Sequence, residues 1–251
     1  MVSVLGLFIY FVRISRPKLL TLNKRKVVFY FSINDMTQKN MLDLSALRQD
    51  YLNAALSEAD VDTNPLSQFA QWFNEAQTAQ VPEPNAMTLA TVSADGQPSA
   101  RTVLIKEARN DGVVWFTNYD SRKGQELADN ARAALLFFWQ ALERQVRIEG
   151  VVTRISAAES DAYFHSRPVN SRLGAWSSPQ SQIITNRKAL EDNLTQFTTK
   201  FGDNPPRPEN WGGYILKPTY FEFWQGRASR LHDRIAYRLI DDIWQIVRLA
   251  P

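Results

Sequence analysis

Apolar and polar positions along the chain switch between two periods, and the switches outline its architecture. From Leu42 to about Glu58, Leu44, Leu47, Tyr51 and Leu52 recur near helical spacing. Asn64-Pro65 signals a second helix, with Asn as cap and Pro at the first helical position. Leu66, Phe69, Ala70, Phe73 and Ala76 then mark one apolar face. After VPEPN the period drops to two. Met87–Val92, Ser99–Glu107 and Val113–Thr117, separated by Asp95-Gly96 and Asp111-Gly112, predict a β-meander, because Asp-Gly between apolar runs is a strong hairpin signal. Ser121 caps a short predicted helix to about Asn130. Strands over Ala133–Trp139 and Gln145–Ile155 come next. Ser156 and Glu159 fit a capping box opening a helix through Phe164, and Asn186 to Phe201 is a further helix closed by Gly202. Tyr214–Lys217, Tyr220–Trp224, Ile235–Leu239 and Trp244–Leu249 are late strands. Roughly eight strands with helices between them predict a mainly β fold with added helices, a closed or partly closed antiparallel barrel.

The N-terminus breaks this pattern. Residues 1–12, MVSVLGLFIYFV, are one apolar run, too short for the ~20 residues that span a bilayer. No positive segment precedes it and no small-residue cleavage site follows it. Residues 1–40 are therefore expected to be an atypical extension, and 41–251 the functional domain. The extension has three open readings: a start codon placed too early, a real but poorly ordered extension, or a membrane-associating or targeting segment. It also changes the meaning of the charge. The chain carries +3 overall, but residues 1–35 hold six basic residues against Asp35, leaving 23 basic and 25 acidic residues beyond them, a net of −2. A duplex-binding surface is not expected of such a body, while a local cationic pocket remains open. No membrane association is expected of it either.

Composition removes whole classes of chemistry. The chain has no Cys and only two histidines, His165 and His232. Disulfides, thiolate metal sites and cysteine nucleophiles are excluded, a His-rich metal site is not expected, and a reducing, cytoplasmic compartment fits. No glycine-rich dinucleotide or phosphate loop and no G-x-S-x-G elbow occurs. Any phosphate must be held by side chains and strand-end backbone.

Five stretches could do that. In Arg101-Thr-Val-Leu-Ile-Lys106 the two cations fall on opposite faces of an apolar strand; they are either solvated ends or contacts to an anion. Arg122-Lys123 stand in the first turn of the helix capped by Ser121, where cations are disfavoured unless an anion is bound. Arg144-Gln-Val-Arg-Ile-Glu-Gly150 reads by itself as a half-exposed strand. Tyr163, Arg167 and Ser171, spaced by four in loop-like sequence, could converge on a phosphate, although Pro168 interrupts the helix; His165 reads as a structural hydrogen-bonding residue. Arg230, His232 and Arg234 would alternate on one strand face after Trp224, which could pack on a flat ring or in the core.

In series these segments resemble one family. R-x-V-L-x-K, F-T-N-x-x-S-R-K, E-R-Q-V-R-x-E-G, Y-F-x-S-R-P, G-A-W-x-S-x-Q-S, E-F-W-Q-G, R-L-H-D-R and the terminal R-L-A-P are similar, in order and spacing, to pyridoxamine 5′-phosphate oxidases, from about Leu44 to Pro251. The resemblance implies an FMN-binding split β-barrel, dimeric, with flavin sites at the subunit interface. It implies FMN contacts from Arg101, Thr102, Val103, Leu104, Ile105 and Lys106, from Phe116 and Thr117, from Arg122 and Lys123 at the phosphate, and from Gln145, Gln180, Ser181, Trp224 and Arg234. For the substrate it implies Lys106, then Tyr163, Arg167 and Ser171 around the phosphate, and Arg230, Leu231 and His232 near the ring, with Arg230 and His232 as the catalytic pair. Arg48 and Tyr51 resemble an N-terminal element that closes over the site. Two departures stand out: Phe116 where many members have Tyr, and Arg48-Gln49 where some have two arginines. The implied reaction oxidises pyridoxine or pyridoxamine 5′-phosphate to pyridoxal 5′-phosphate, with oxygen as acceptor, hydrogen peroxide as product and ammonia released from the amine. Other split-barrel flavoproteins, such as flavin reductases or deazaflavin-dependent oxidoreductases, are expected to lack R-L-H-D-R and Y-F-x-S-R-P. A non-catalytic carrier would bind without turning over.

Overall fold

Local sequence signals place most elements where expected. The computed structural model describes residues 54–251, so the extension, Arg48, Tyr51 and most of the first expected helix lie outside the described residues. The part of that helix within them, 54–58, is not helical. It is strapped to the far end of the chain instead. The Leu56 N–H donates to Asp233 Oδ2 at 3.1 Å, Arg227 Nη1 donates to the Ala54 carbonyl at 3.2 Å, and Arg248 reaches Glu58 and the Leu56 carbonyl. These tertiary bonds replace helical ones.

Asn64 caps α1 (Pro65–Thr78), its side chain accepting from the Leu66 N–H at 2.9 Å. The buried face is Pro65, Gln68, Phe69, Trp72 and Ala76. Ala70 points to solvent, a correction to the expected face: the stripe runs through Trp72, the larger apolar side chain. α1 fills the barrel mouth, with Phe69 5.0 Å from Phe137 and Trp72 edge-on to Phe223 at 5.2 Å. Each such side chain, fully buried, contributes roughly 1.5–3 kcal/mol.

Nine strands follow, all antiparallel: β1 (Ala86–Val92), β2 (Pro98–Leu104), β3 (Glu107–Arg109), β4 (Gly112–Asn118), β5 (Arg132–Trp139), β6 (Arg144–Arg154), β7 (Trp211–Gln225), β8 (Asp233–Ile240) and β9 (Ile243–Arg248). Their order is β2-β1-β5-β6-β7-β4-β3, with β8 and β9 branching from the second half of β7. The expected strand Ser99–Glu107 breaks at Ile105-Lys106, because the chain changes partner there: the Ile105 N–H donates to Asn85 near β1, and the Lys106 N–H to Val114 on β4, both at 2.9 Å. That corner joins the two ends of the curled sheet. It turns Ile105 into the core and leaves Lys106 exposed.

The two late strands expected on either side of Pro218 are one strand, β7. Proline, lacking an N–H, is tolerated because the register with β6 shifts there, between Glu149 and Gly150. Gly150 is required for the close approach, since a Cβ on it would stand 2.0 Å from the Lys217 carbonyl oxygen. Beyond the bulge β7 leaves β4 and pairs with β8, which splits the barrel.

The helices between strands are α2 (Arg122–Asp129), α3 (Ala157–Ser166), α4 (Val169–Ser177) and α5 (Arg187–Phe201). Ser121 and Asn186 cap as expected, and Ser156 with Glu159 forms the capping box. α4 replaces an expected loop. Its N-terminus has no side-chain cap bond, and it buries only Arg172, Leu173 and Ser177. No helix among the described residues is long and apolar enough to cross a membrane.

Candidate active site

A cleft of about 860 Å³ opens where β2, the end of β4, α2, α3 and α4 meet. Among the residues expected around flavin and substrate, it is lined by Arg101, Thr102, Val103, Leu104, Lys106, Phe116, Thr117, Arg122, Lys123, Tyr163, Arg167, Ser171, Gln180 and Ser181. Tyr163, Arg167 and Ser171 meet there although α3 stops at Ser166. The turn at Pro168 between α3 and α4, rather than one continuous helix, brings them together.

The first turn of α2 is where anion chemistry is clearest. Lys123 is buried, 7% exposed. Its ammonium donates to Thr117 Oγ1 at 3.0 Å, Ser121 Oγ at 3.1 Å and Gln180 Oε1 at 3.1 Å, each a neutral oxygen. Burial first, then the charge of Arg101, push its pKa down to about 8. A cation made this uncomfortable, beside free helix N–H groups, fits an anionic group such as a phosphate ester. The turn depends on Gly124, where a Cβ would lie 2.0 Å from the Tyr119 carbonyl oxygen.

Sequence reasoning missed the group that organises the rest of this corner. Glu126, 4% exposed, accepts from Thr91 and Ser99 hydroxyls at 2.5 and 2.6 Å, from Arg101 at 3.2 Å and from Arg122 Nε at 2.8 Å. Burial opposes its charge, yet bonds from Ser99, Thr91, Arg122 and Arg101 outweigh burial and hold it at about 2. Its spacing of four from Arg122 on a helix was the available signal. Trp211, also in the cleft wall, carried none.

The remaining expected residues lie elsewhere. Ile105 is in the core. Gln145, Trp224 and Arg234 form one cross-strand row over β6, β7 and β8. The neighbouring row, Thr102–Thr88–Leu136–Arg147–Glu222–Ala236, starts at the cleft and runs along the outer face of the barrel. Four strand spacings of about 4.8 Å separate Thr102 from Glu222, on the order of 19 Å along the sheet. Glu222, 2% exposed, pairs with Arg147 at 2.6 Å and Arg234 at 2.8 Å.

Arg230 and His232 are not on a strand face, a second correction: β8 begins at Asp233, and Ala228–Arg230 is a 3-10 turn with Ser229 and Arg230 at φ 57° and 61°. The Arg227 N–H donates to His232 Nδ1 at 3.1 Å, so that nitrogen carries no proton and Nε2 does. Burial and then Arg230 lower the His232 pKa, which favours the neutral ring. Its ring lies 4.6 Å from that of Trp224. His165 holds the structural place expected of it, Nδ1 lying 2.8 Å from the Asp161 carbonyl.

Comparison with known proteins follows the same outline. Residues 73–201 match the family model described as pyridoxamine 5′-phosphate oxidase, and 211–251 match the pyridoxine 5′-phosphate oxidase C-terminal dimerisation region. The pyridoxine/pyridoxamine 5′-phosphate oxidase of Cupriavidus metallidurans is 61% identical over 212 residues, covering 84% of this chain and all of that one. The protein of the same name from Bordetella avium is 65% identical over 211 residues, with the same coverage. Among solved structures, PhzG from Burkholderia lata 383, in complex with tetrahydrophenazine-1-carboxylic acid, is 31% identical with a TM-score of 0.75, covering 78% of this chain and 98% of its own. A pyridoxamine 5′-phosphate oxidase-related, FMN-binding protein from Nostoc punctiforme, 19% identical over 76% of this chain and 100% of its own at TM-score 0.60, shares the fold.

Proposed function

The chain belongs to the pyridoxine/pyridoxamine 5′-phosphate oxidase family, and from that premise we propose that it oxidises both phosphorylated vitamers to pyridoxal 5′-phosphate on FMN bound in the cleft. One observation carries the reading: beside the exposed Lys106, a single cleft holds two separate cationic groups with buried nitrogens and no carboxylate partner among the described residues. Lys123 sits among neutral oxygens, and Arg167 has a buried Nη1 without a hydrogen-bond partner. Two phosphate esters, one from cofactor and one from substrate, match two such places.

Arg122, Lys123 and the α2 N-terminus would hold the FMN phosphate, with Arg101 to Leu104, Phe116, Thr117, Gln180 and Ser181 around the rest of it. When bound, FMN supplies a two-electron acceptor that oxygen restores with release of hydrogen peroxide. Tyr163, Arg167 and Ser171 would bind the substrate phosphate, and Lys106 would reach its ring. The outer-face residues are too distant to join the cleft of their own chain. In a two-fold dimer the same surface of a second copy could supply them: Gln145, Trp224 and Arg234 toward the flavin, and Arg230, Leu231 and His232 toward the substrate. The match of residues 211–251 to a dimerisation region supports that arrangement.

The test is oxygen consumption by FMN-loaded protein. Pyridoxine and pyridoxamine 5′-phosphates are expected to turn over, with unphosphorylated pyridoxine lower in kcat/KM by roughly 10³-fold or more, because buried donors would be left unpaired. Equal turnover of pyridoxine sinks the phosphate assignment. Full activity in a monomer by sedimentation sinks the shared site.

A further inference from the structure

Arg167 differs from other arginines of the cleft in what holds it. Arg101 and Arg122 rest on the Glu126 carboxylate. Arg167 makes no ion pair among the described residues. Its guanidinium lies 4.6 Å over the Trp211 ring and 5.6 Å from that of Phe164. Burial lowers its pKa, as expected of a cation without a counter-charge. A ring face attracts a cation through its quadrupole, yet leaves formal charge and in-plane N–H groups unspent.

Trp211 is itself well anchored. It is 6% exposed, its backbone N–H donates to the Pro208 carbonyl at 3.1 Å, and its carbonyl accepts from Arg207 at 2.7 Å. Its ring is within 13° of parallel to Phe116 at 5.6 Å, and within 2° of Tyr163 at 6.2 Å. Tyr163 in turn stacks on Phe116 at 3.7 Å. One aromatic body therefore fixes both Tyr163 and Arg167.

Building on the reading that Arg167 grips the substrate's phosphate, we propose that Trp211 is the positioning residue for that grip, its ring seating the guanidinium while leaving charge and fork available to the ester. A carboxylate in the same place would hold the arginine equally well but compete with the phosphate for it. The partners of Arg122 and Lys123 among the described residues are Glu126, Thr117, Ser121 and Gln180, not Trp211, so the effect of Trp211 is expected to fall on substrate rather than on the cofactor phosphate.

Trp211→Leu, Trp211→Phe, Arg167→Ala and the Trp211→Leu/Arg167→Ala double variant are compared in FMN-loaded protein by steady-state oxygen consumption, alongside FMN dissociation constants from flavin fluorescence. Trp211→Leu is expected to raise KM for pyridoxine 5′-phosphate about tenfold, equivalent to about 1.4 kcal/mol, with kcat and FMN affinity within about twofold. Trp211→Phe, keeping a weaker ring face, is expected to raise KM by only about threefold. The double variant should be no worse than Arg167→Ala alone. Additive losses in the double variant, or FMN affinity falling in step with KM, overturn the proposal. If Trp211→Leu does not fold, the cycle is run with Trp211→Phe under the same criteria. Should Arg167→Ala leave KM unchanged, the phosphate assignment of Arg167 itself falls; if Arg167→Ala raises KM and Trp211→Leu does not, only the role of Trp211 falls.

Discussion

The cleft and the outer face of the barrel both gather cationic side chains, but they treat charge in opposite ways. On the outer face Arg147 and Arg234 share the buried Glu222 carboxylate and Arg147 also pairs with Glu149, so two cations meet two carboxylates within the chain. In the cleft Lys123 rests on three neutral oxygens and Arg167 on ring faces. A neutralised cluster holds structure, whereas an unneutralised one is ready to take an anion. Arg101 and Arg122 stand between the two, oriented by Glu126 at the edge of the cleft.

The largest effect tests whether the turn preceding β8, beside the outer face, also contributes to reaction. Arg230→Ala is expected to lower kcat/KM by on the order of 100-fold, the scale of losing a charged contact to bound substrate, while the protein still binds FMN and stays yellow. Near-normal turnover, or a colourless protein, removes Arg230 from the site.

Next comes the neutralised cluster. Glu222→Gln leaves Arg234 without its carboxylate and Arg147 with Glu149 alone, and is expected to cost on the order of 2–3 kcal/mol of stability, less than for a fully buried pair because Arg147 is one-third open. The sign with pH follows from linkage. Burial raises the Glu222 pKa, but bonds from Arg234 and Arg147 outweigh it and bring the carboxylate below its ordinary value. Its contribution is therefore present above the unfolded-state value near 4.3 and lost as pH falls through the lower folded value. Thermal melts of wild type and Glu222→Gln should converge on acidification. A gap that persists in acid contradicts this account.

A smaller effect sharpens the contrast from the cleft side. Lys123→Met is expected to weaken FMN binding by roughly tenfold at neutral pH. In the unmodified chain, FMN affinity should decline above about pH 8, where Lys123 loses its proton. A bound phosphate favours the charged lysine, so binding takes up a proton there and weakens by up to about tenfold per pH unit. Fluorescence titrations of both proteins between neutral pH and about pH 9.5 should show the slope in one and not the other.

What could be read from sequence was local. Caps at Asn64, Ser121, Ser156 and Asn186 depend on a few neighbouring residues, and all four stand in the structure. α4 escaped because it follows Pro168, contains Gly174 and buries little of its surface, leaving hardly any periodic signal. Pro218 suggested a strand end because the bulge that accommodates it, with Thr219 left over on β7, exists only in the pairing with Glu149 and Gly150 of β6, far earlier in the chain. The same distinction governs the site. The motifs named most of the cleft lining, but its separation from Trp224, Arg230 and His232 follows from sheet order. Glu126 and Trp211 matter through what they touch in space.

The strap between residues 54–58 and the C-terminal strands holds residue 54 beside the Arg230 turn. Leu56 is bonded to Asp233, next in sequence to His232, and Arg227 holds the Ala54 carbonyl. A domain joined directly at residue 54, in place of what precedes it, would consequently be moored beside that turn. Because the chain contains no cysteine and Ala55 is exposed, a single Ala55→Cys change gives one attachment point for a fluorophore at that mooring, able to report movement of the turn without touching the residues that hold it.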